Sequence, residues 1–200
     1  FWHCIVSGIV LAADGRKMSK SERNYTDPME IINKYGADAL RFALIDSTLV
    51  KADDLRFSDE LVKDVLKSLM IPLWNAYSFF MTYASIDGYE PSSTPFDKLS
   101  NPLDKWIISA LNRFIATVTN AFDTYDIQTA ASSLVTFIDE LNNWYIRRSR
   151  RRFWKSENDG DKKEAYDTLY RVLLTFVKVA APLIPFVTEE IYRALRTEDM

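Results

Sequence analysis

The sequence predicts a mainly α-helical protein in which an antiparallel helical bundle follows a short α/β segment. Three observations indicate this fold. Residues 1–13 contain two β-rich apolar runs, Ile5-Val6 and Ile9-Val10-Leu11. From about residue 58 onward, apolar residues recur at intervals of three and four, which is typical of amphipathic helices. Residues that favour helix N-termini, such as Asn101-Pro102 and Asp126, separate these periodic segments.

Two short helices are predicted between the α/β segment and the bundle. Asp27 is a suitable N-cap, Pro28 suits the first helical position, and Glu30 occupies the capping-box position. Gly36 then ends the first helix, and the second is expected from about Ala37 to Asp46.

The bundle itself is predicted to contain four longer helices and a shorter last one. Their expected starting points lie near Ser58, Asn101, Asp126, Lys162 and Pro185. Pro72 lies inside the first of these helices and predicts a kink rather than a break, because the apolar period resumes beyond it. A stretch rich in Gly, Pro, Ser and Thr at residues 87–102 predicts a linker or a long surface loop.

Composition limits the classes of protein to which the chain can belong. Apolar residues make up 48% and charged residues 26%, which is ordinary for a soluble globular protein. The single cysteine, Cys4, excludes an intrachain disulfide and favours a cytosolic origin. The apolar stretch 172–187 is interrupted by Lys178 and two prolines, so no membrane-spanning helix is predicted. Because the chain opens on Phe1 within an apolar run, we expect it to be a piece of a longer protein.

The helix that begins at Asp126 carries an apolar stripe that becomes basic towards its end. The stripe comprises Ile127, Ala130, Ala131, Leu134, Phe137, Ile138, Leu141, Trp144 and Tyr145. Extrapolation places Arg148, and then Arg151 and Arg152, on the same face. These arginines belong to the run 147–155, which has six positive charges and no acid in a chain of net charge −3.

Two explanations of this basic run are open from the residues alone. The arginines are either buried against acids, because an unpaired buried charge is costly, or exposed on a nucleic-acid-binding helix end. Arginine forks match phosphate oxygens, and the flanking Trp144, Tyr145, Phe153 and Trp154 offer aromatic surfaces for bases. This combination favours RNA, although composition alone does not exclude DNA.

The stretch DGRKMSKSERN, residues 14–24, forms a basic loop after the turn at Asp14-Gly15. Its Lys-x-Ser-Lys-Ser core places two ammonium groups and two hydroxyls where they can bind phosphate oxygens. The spacing is not that of a P-loop, and a basic loop taken alone is more often simply solvated.

The pentamer at residues 17–21 is identical to the KMSKS signature of class I aminoacyl-tRNA synthetases. The surrounding stretch, from GIVLAADGRKMSKS to KYGADALRFAL, resembles the isoleucyl, valyl and leucyl subgroup. Further along, NNWYIRRSRRRFW resembles the anticodon-binding domain of the eukaryotic-like isoleucyl type, and APLIPFVTEEIY resembles the closing helix motif of that domain. The resemblance extends over essentially all 200 residues.

The resemblance implies roles for the residues of the loop. Lys20 would contact the ATP phosphates and stabilise charge as pyrophosphate leaves, while Lys17 and Ser19 would assist. Met18 would either pack near the adenine or simply anchor the loop to the core. Mg²⁺ would arrive with ATP, and no metal site is expected in this chain. The family's HIGH motif is absent and His3 is interpreted as structural, so the isolated chain is expected to be inactive.

The resemblance also implies a division of the chain and a function. Residues 1–57 would be the end of the Rossmann catalytic domain, and residues 58–200 the class Ia helical anticodon-binding domain. The expected tRNA contacts are Trp144, Arg147, Arg148, Arg151 and Arg152, with Tyr145 in the core. The parent enzyme would activate isoleucine with ATP and charge tRNA(Ile), as a cytoplasmic monomer without membrane contact. The alternatives are a valyl-tRNA synthetase fragment, a non-catalytic RNA-binding helical module, and a structural bundle whose arginines pair internally.

Overall fold

The computed structural model describes residues 2, 4–19, 21–22, 24–91, 99–155 and 160–196. Phe1, His3 and Lys20, and residues 92–98 of the predicted linker, lie outside the described residues. Within the described ranges, no helix has both the length and the apolar character needed to cross a membrane.

The first part of the chain is a small α/β unit. Strand β1 (Val10–Leu11) pairs in parallel with β2 (Leu55–Arg56). Helix α1 (Pro28–Tyr35), helix α2 (Ala37–Ile45) and a short 3₁₀ helix (Thr48–Lys51) lie between the two strands.

The β-rich runs at the start of the chain thus form less strand than their composition indicates. Gly8 lies where its backbone approaches that of Asp53 so closely that a Cβ would lie 1.9 Å from the Asp53 carbonyl oxygen. The Gly8 N–H donates to the carbonyl oxygen of Leu49 at 2.9 Å. The glycine therefore serves a close approach between two chain segments, rather than a turn between two strands.

From Asp59 onward, most of the residues that the structure describes are helical. The helices are α3 (Asp59–Val65), α4 (Ile71–Asp87), α5 (Pro102–Asp123), α6 (Ile127–Asp139), α7 (Arg147–Trp154), α8 (Gly160–Ala180) and α9 (Pro185–Leu195). A π-helical turn (Leu66–Met70) joins α3 to α4 without a break, and a second one (Glu140–Ile146) joins α6 to α7. The core is centred on α5, α6 and α8, where the rings of Phe114, Phe137 and Phe176 stack at centroid distances of 4.9 to 5.8 Å.

The predicted disturbance at Pro72 takes the form of the first π-helical turn. Proline has no N–H and its ring collides with the carbonyl four residues earlier, so a regular α-helix cannot pass through this position. The wider turn accommodates the ring, as π-bulges do elsewhere. Asn142, in the second π-helical turn, donates to the carbonyl oxygens of Pro72 at 3.1 Å and Ile138 at 2.9 Å. One side chain therefore ties the two irregular turns together.

Helix α2 fastens the α/β unit to the end of the bundle. Its Asp38, which is buried, accepts hydrogen bonds from the N–H groups of Phe186 at 3.3 Å and Val187 at 2.7 Å in the first turn of α9. Its Arg41 donates to the carbonyl oxygens of Pro182 at 3.1 Å and Leu183 at 3.2 Å, just after α8. An acid at a helix N-terminus and a base at a helix C-terminus both oppose the local dipole charge, so each contact stabilises its helix end.

Candidate phosphate-binding loop and nucleic-acid interface

The basic loop begins as a tight hairpin that follows β1. Leu11 and Lys17 form an antiparallel bridge, and the Ala12 N–H donates to the carbonyl oxygen of Arg16 at 2.9 Å. Gly15, with φ of 83°, provides the positive backbone angle that the turn requires.

One of the loop's positive charges is neutralised within the loop. Arg16 pairs with Asp14 at 2.7 Å and with Glu22 at 3.3 Å. Hydrogen bonds from the Arg16 backbone and side chain hold the pKa of the Asp14 carboxyl below its usual value. Arg16 thus places its positive charge beside both acids of the loop.

The described residues of the signature comprise one apolar anchor and three polar residues. Met18 is half-buried and packs against the hydrophobic core, which agrees with the anchoring alternative. Lys17 is exposed, and no ion pair involving it is found in the described part of the chain. The Ser19 hydroxyl lies 2.7 Å from that of Ser21, and the Ser19 N–H donates to the Asn24 side-chain oxygen at 2.8 Å. Asn24 in turn donates to the Lys17 carbonyl oxygen at 3.0 Å.

A second polar surface lies at the far end of the long helix 127–154. The side chains of Arg147, Arg148, Arg150 and Arg151 are exposed on α7. No acid that pairs with these arginines is found among the described residues. Five arginines occur within six positions here, and four of them face solvent, so this helix end presents a concentrated positive charge.

The arginines are accompanied by an aromatic platform. The Arg148 guanidinium lies over the Trp144 ring, 3.5 Å from its centroid, and Trp144 is 43% exposed. Trp106 on α5 packs beside Trp144 at a centroid distance of 6.1 Å and a ring angle of 53°. No local sequence signal distinguishes Trp106 from the other apolar residues of its helix, because its proximity to Trp144 arises from the packing of α5 on the second π-helical turn.

Arg152, predicted as a tRNA contact, belongs instead to the interior of the protein. It is 7% exposed and binds the fully buried Asp104 through two hydrogen bonds, at 2.7 and 2.6 Å. It also contacts the Asp161 carboxylate at 2.9 Å and the Asp161 carbonyl oxygen at 3.0 Å. The Tyr145 hydroxyl donates to Asp104 at 2.7 Å, and Tyr145 is buried as expected. Internal pairing therefore holds for this one arginine of the run.

The second π-helical turn explains why only one of the three extrapolated arginines is buried. From this turn to the end of α7, the buried positions are Leu141, Tyr145, Ile146, Ser149, Arg152 and Phe153. A π-helical turn contains more residues than an α-helical one, so the residues after it rotate relative to the stripe before it. Arg148 and Arg151 are thereby turned outwards, whereas Arg152 remains on the buried face.

Burial outweighs the hydrogen bonds in its effect on the pKa of Asp104, which lies above its ordinary value. Burial raises the pKa of the Asp104 carboxyl, and the bonds from Arg152 and Tyr145 act in the opposite direction. Burial also raises the pKa of Tyr145. With three donors on its two oxygens, Asp104 is well satisfied, so the network has a structural role.

Elsewhere in the described ranges, no cluster of three or more histidine, cysteine, aspartate or glutamate side chains is placed to hold a metal ion. The loop presents a lysine and hydroxyls that can bind phosphate oxygens, and α7 presents arginines beside a tryptophan, a combination that suits RNA.

Two family models match the chain. Residues 1–57 match the tRNA synthetases of class I (I, L, M and V), and residues 104–200 match the anticodon-binding domain of tRNA ligase.

Curated relatives match over its whole length. The isoleucine–tRNA ligase of Treponema denticola is 58% identical over 99% of this chain, that of Treponema pallidum 52% over 100%, and that of Chlamydia abortus 50% over 100%. In each case the match covers 19% of the relative, so the chain spans about one fifth of the length of these enzymes.

Solved structures share the fold. A LeuRS of Agrobacterium radiobacter K84, in a ternary complex with tRNA and LeuAMS, superposes with a TM-score of 0.71 at 21% identity, covering 96% of this chain and 22% of that one. A methionyl-tRNA synthetase of Mycobacterium tuberculosis bound by methionyl-adenylate gives 0.76 at 22% identity, covering 95% and 38%.

Proposed function

Since the chain belongs to the class I tRNA synthetases, and within them to the isoleucine–tRNA ligases, we propose that it serves an enzyme that activates isoleucine with ATP and transfers it to tRNA(Ile). In this enzyme the loop 14–24 handles the phosphates of ATP, and the helical bundle binds the anticodon side of the tRNA. The observation that carries the proposal is that identity of 50–58% extends over the whole chain rather than over the signature alone.

The loop contributes positive charge to the activation step. The isoleucine carboxylate attacks the α-phosphorus of ATP, and the bond from that phosphorus to the leaving pyrophosphate breaks. Catalysis of such transfers depends mainly on positioning and on cations placed where negative charge develops. Lys20 is the cation that we assign to this task, with Lys17 and the Ser19 hydroxyl as further phosphate ligands. Mg²⁺ would enter with ATP.

The α7 end contributes the contact with tRNA. Arg147 and Arg151 supply exposed charges for backbone phosphates, which position an RNA without reading its sequence. Arg148 differs from them because one face of its guanidinium is covered by Trp144, which leaves the other face as a plane on which a base can stack. The cytoplasm is the compartment that we assign to this activity, and a monomer is the state.

The proposal is tested with a chimaera in which this chain replaces the matching fifth of the T. denticola ligase. Isoleucine-dependent ATP–pyrophosphate exchange and charging of tRNA(Ile) are measured. Lys20→Ala should lower the exchange rate by about 100-fold, the scale of removing one group that stabilises the transition state. Lys105→Ala is the matched control, because it removes an exposed lysine on α5, outside the loop.

Unchanged exchange in the Lys20→Ala chimaera would contradict the role given to the loop and would favour a non-catalytic RNA-binding module. A second experiment distinguishes the isoleucyl from the valyl alternative. The chain alone is titrated with fluorescent tRNA(Ile) and with fluorescent tRNA(Val) at equal ionic strength, and the two affinities are compared. Tighter binding of tRNA(Val) would support that alternative.

A further inference from the structure

The carboxamide of Asn24 closes the signature loop across five residues. Its oxygen accepts the Ser19 N–H at 2.8 Å, and its NH₂ group donates to the Lys17 carbonyl oxygen at 3.0 Å. The two bonds engage one backbone donor and one backbone acceptor, which is the pattern that a neighbouring strand offers through its main chain. The Asn24 side chain thus makes the two hydrogen bonds to residues 17–19 that the backbone of a neighbouring strand would make.

Residues 17–19 are held from two other directions as well. Lys17 pairs with Leu11 of β1 through an antiparallel bridge, and Met18 packs into the core. Asn24 is itself half-buried, so its bonds are partly shielded from competing water. A basic loop whose function was only to remain solvated would gain nothing from three restraints on three residues.

We propose that Asn24 is a positioning residue for the activation step, which fixes the backbone of residues 17–19 in the shape that meets the phosphates of ATP. This inference rests on the proposed function of the loop. Because the backbone is ordered before the nucleotide arrives, less conformational freedom remains to be lost as charge develops on the leaving pyrophosphate.

Only a carboxamide supplies both bonds from this position. Leucine has nearly the shape of asparagine but offers neither the donor nor the acceptor, so Asn24→Leu removes both bonds while preserving the packing. Asn24→Asp keeps the acceptor for the Ser19 N–H and loses the donor to Lys17. Thr26→Val is the control, because it removes a side-chain hydrogen bond close to Asn24 that does not reach the signature: Thr26 donates to the Asp59 carboxylate at 3.3 Å.

The first measurement is amide hydrogen exchange of Ser19 in this chain by NMR, without nucleotide. Asn24→Leu should speed exchange of the Ser19 amide by about tenfold or more, Asn24→Asp should largely preserve its protection, and Thr26→Val should leave it unchanged. Unaltered exchange in Asn24→Leu would overturn the proposal, because the bond would then not restrain the loop.

The second measurement is exchange kinetics in the T. denticola chimaera. A positioning residue acts on the transition state, so Asn24→Leu should lower kcat by about 10- to 100-fold while KM for ATP changes by less than about threefold. A purely structural role would reduce the amount of folded enzyme and leave kcat per active site intact, as judged by active-site titration. A wild-type chimaera without exchange activity would overturn the proposed function, whereas an active chimaera with a normal Asn24→Leu kcat would overturn only the role of Asn24.

Discussion

The substitution Arg152→Met tests whether the basic run divides into a buried arginine and an exposed surface. Methionine preserves much of the side-chain volume and removes the guanidinium. Asp104, which is 0% exposed, then keeps one donor, Tyr145, in place of three.

The size of the effect follows from these contacts. Each of the two bonds to Asp104 joins charged groups, and such bonds contribute about 1.5–3 kcal/mol apiece. The sum of about 3–6 kcal/mol agrees with the 3–5 kcal/mol observed when one partner of a buried ion pair is removed. A central value of about 4 kcal/mol, with a urea dependence of about 2.5 kcal/mol per molar, lowers the unfolding midpoint by about 1.5 M.

Urea unfolding of the chain, followed by circular dichroism, measures this shift. Arg151→Met is the matched control, since Arg151 is the adjacent exposed arginine and its loss should change stability by less than about 0.5 kcal/mol. Adding Asp104→Asn to Arg152→Met should cost less than the two single changes combined, because the second change removes the unpaired charge that the first creates.

The opposite pattern would refute the reasoning. Arg152→Met could instead unfold at the urea concentration of the wild type and weaken tRNA binding as Arg151→Met does. Arg152 would then be a surface contact rather than the buried partner of Asp104.

Further predictions concern other parts of the molecule. Arg148→Lys keeps a charge but loses the stacking plane, so affinity for an anticodon stem-loop should fall by about tenfold with an unchanged salt slope in fluorescence anisotropy; equal affinity would contradict the platform. Burial raises the pKa of Asp46 to about 6. The folded state therefore binds the proton of the Asp46 carboxyl more tightly than the unfolded state does. Ionisation of this carboxyl lowers the free energy of unfolding, and the full loss is present above that pH. Asp46→Asn should raise the melting temperature at about pH 7.5 and lose this advantage below about pH 4; a pH-independent difference would exclude the assignment. Asp38→Ala frees two N–H groups of α9 and should cost about 1–2 kcal/mol in urea unfolding, whereas no change would argue against the cap. Gly8→Ala should destabilise the α/β unit, seen as faster proteolysis before residue 57, and normal resistance would show that the backbones can separate.

The helix starts were predictable because capping is local chemistry. Asp27 accepts the Met29 N–H at 2.7 Å, Asn101 accepts the Leu103 N–H at 2.9 Å, and Asp126 caps α6. Each cap depends on residues within a few positions of one another, which the sequence displays directly. The β-rich runs at the start of the chain form less strand than predicted, because strand formation depends on a pairing partner. Among the described residues of these runs, only Val10–Leu11 pairs with another strand, β2.

The candidate site was predictable in its chemistry and less so in its geometry. The signature loop and the arginine-rich helix end were both visible as patterns of residue type. The choice among the arginines depended on helix phase, which the π-helical turn alters, and no pattern of apolar residues announces such a turn. The two bonds of Asn24 were equally hidden, because an asparagine at the end of a loop gives no indication of what it spans.

The ties between α2 and the end of the bundle carry a consequence for the order in which the chain folds. Asp38 and Arg41 bind partners that lie between 141 and 149 positions further along the sequence. Contacts of such separation form late, since the intervening chain must first be ordered. During synthesis, α2 emerges from the ribosome long before α9 does. Asp38 and Arg41 therefore remain exposed to water until α9 has been made. The α/β unit, which carries the loop 14–24, thus gains these contacts only after α9 has formed.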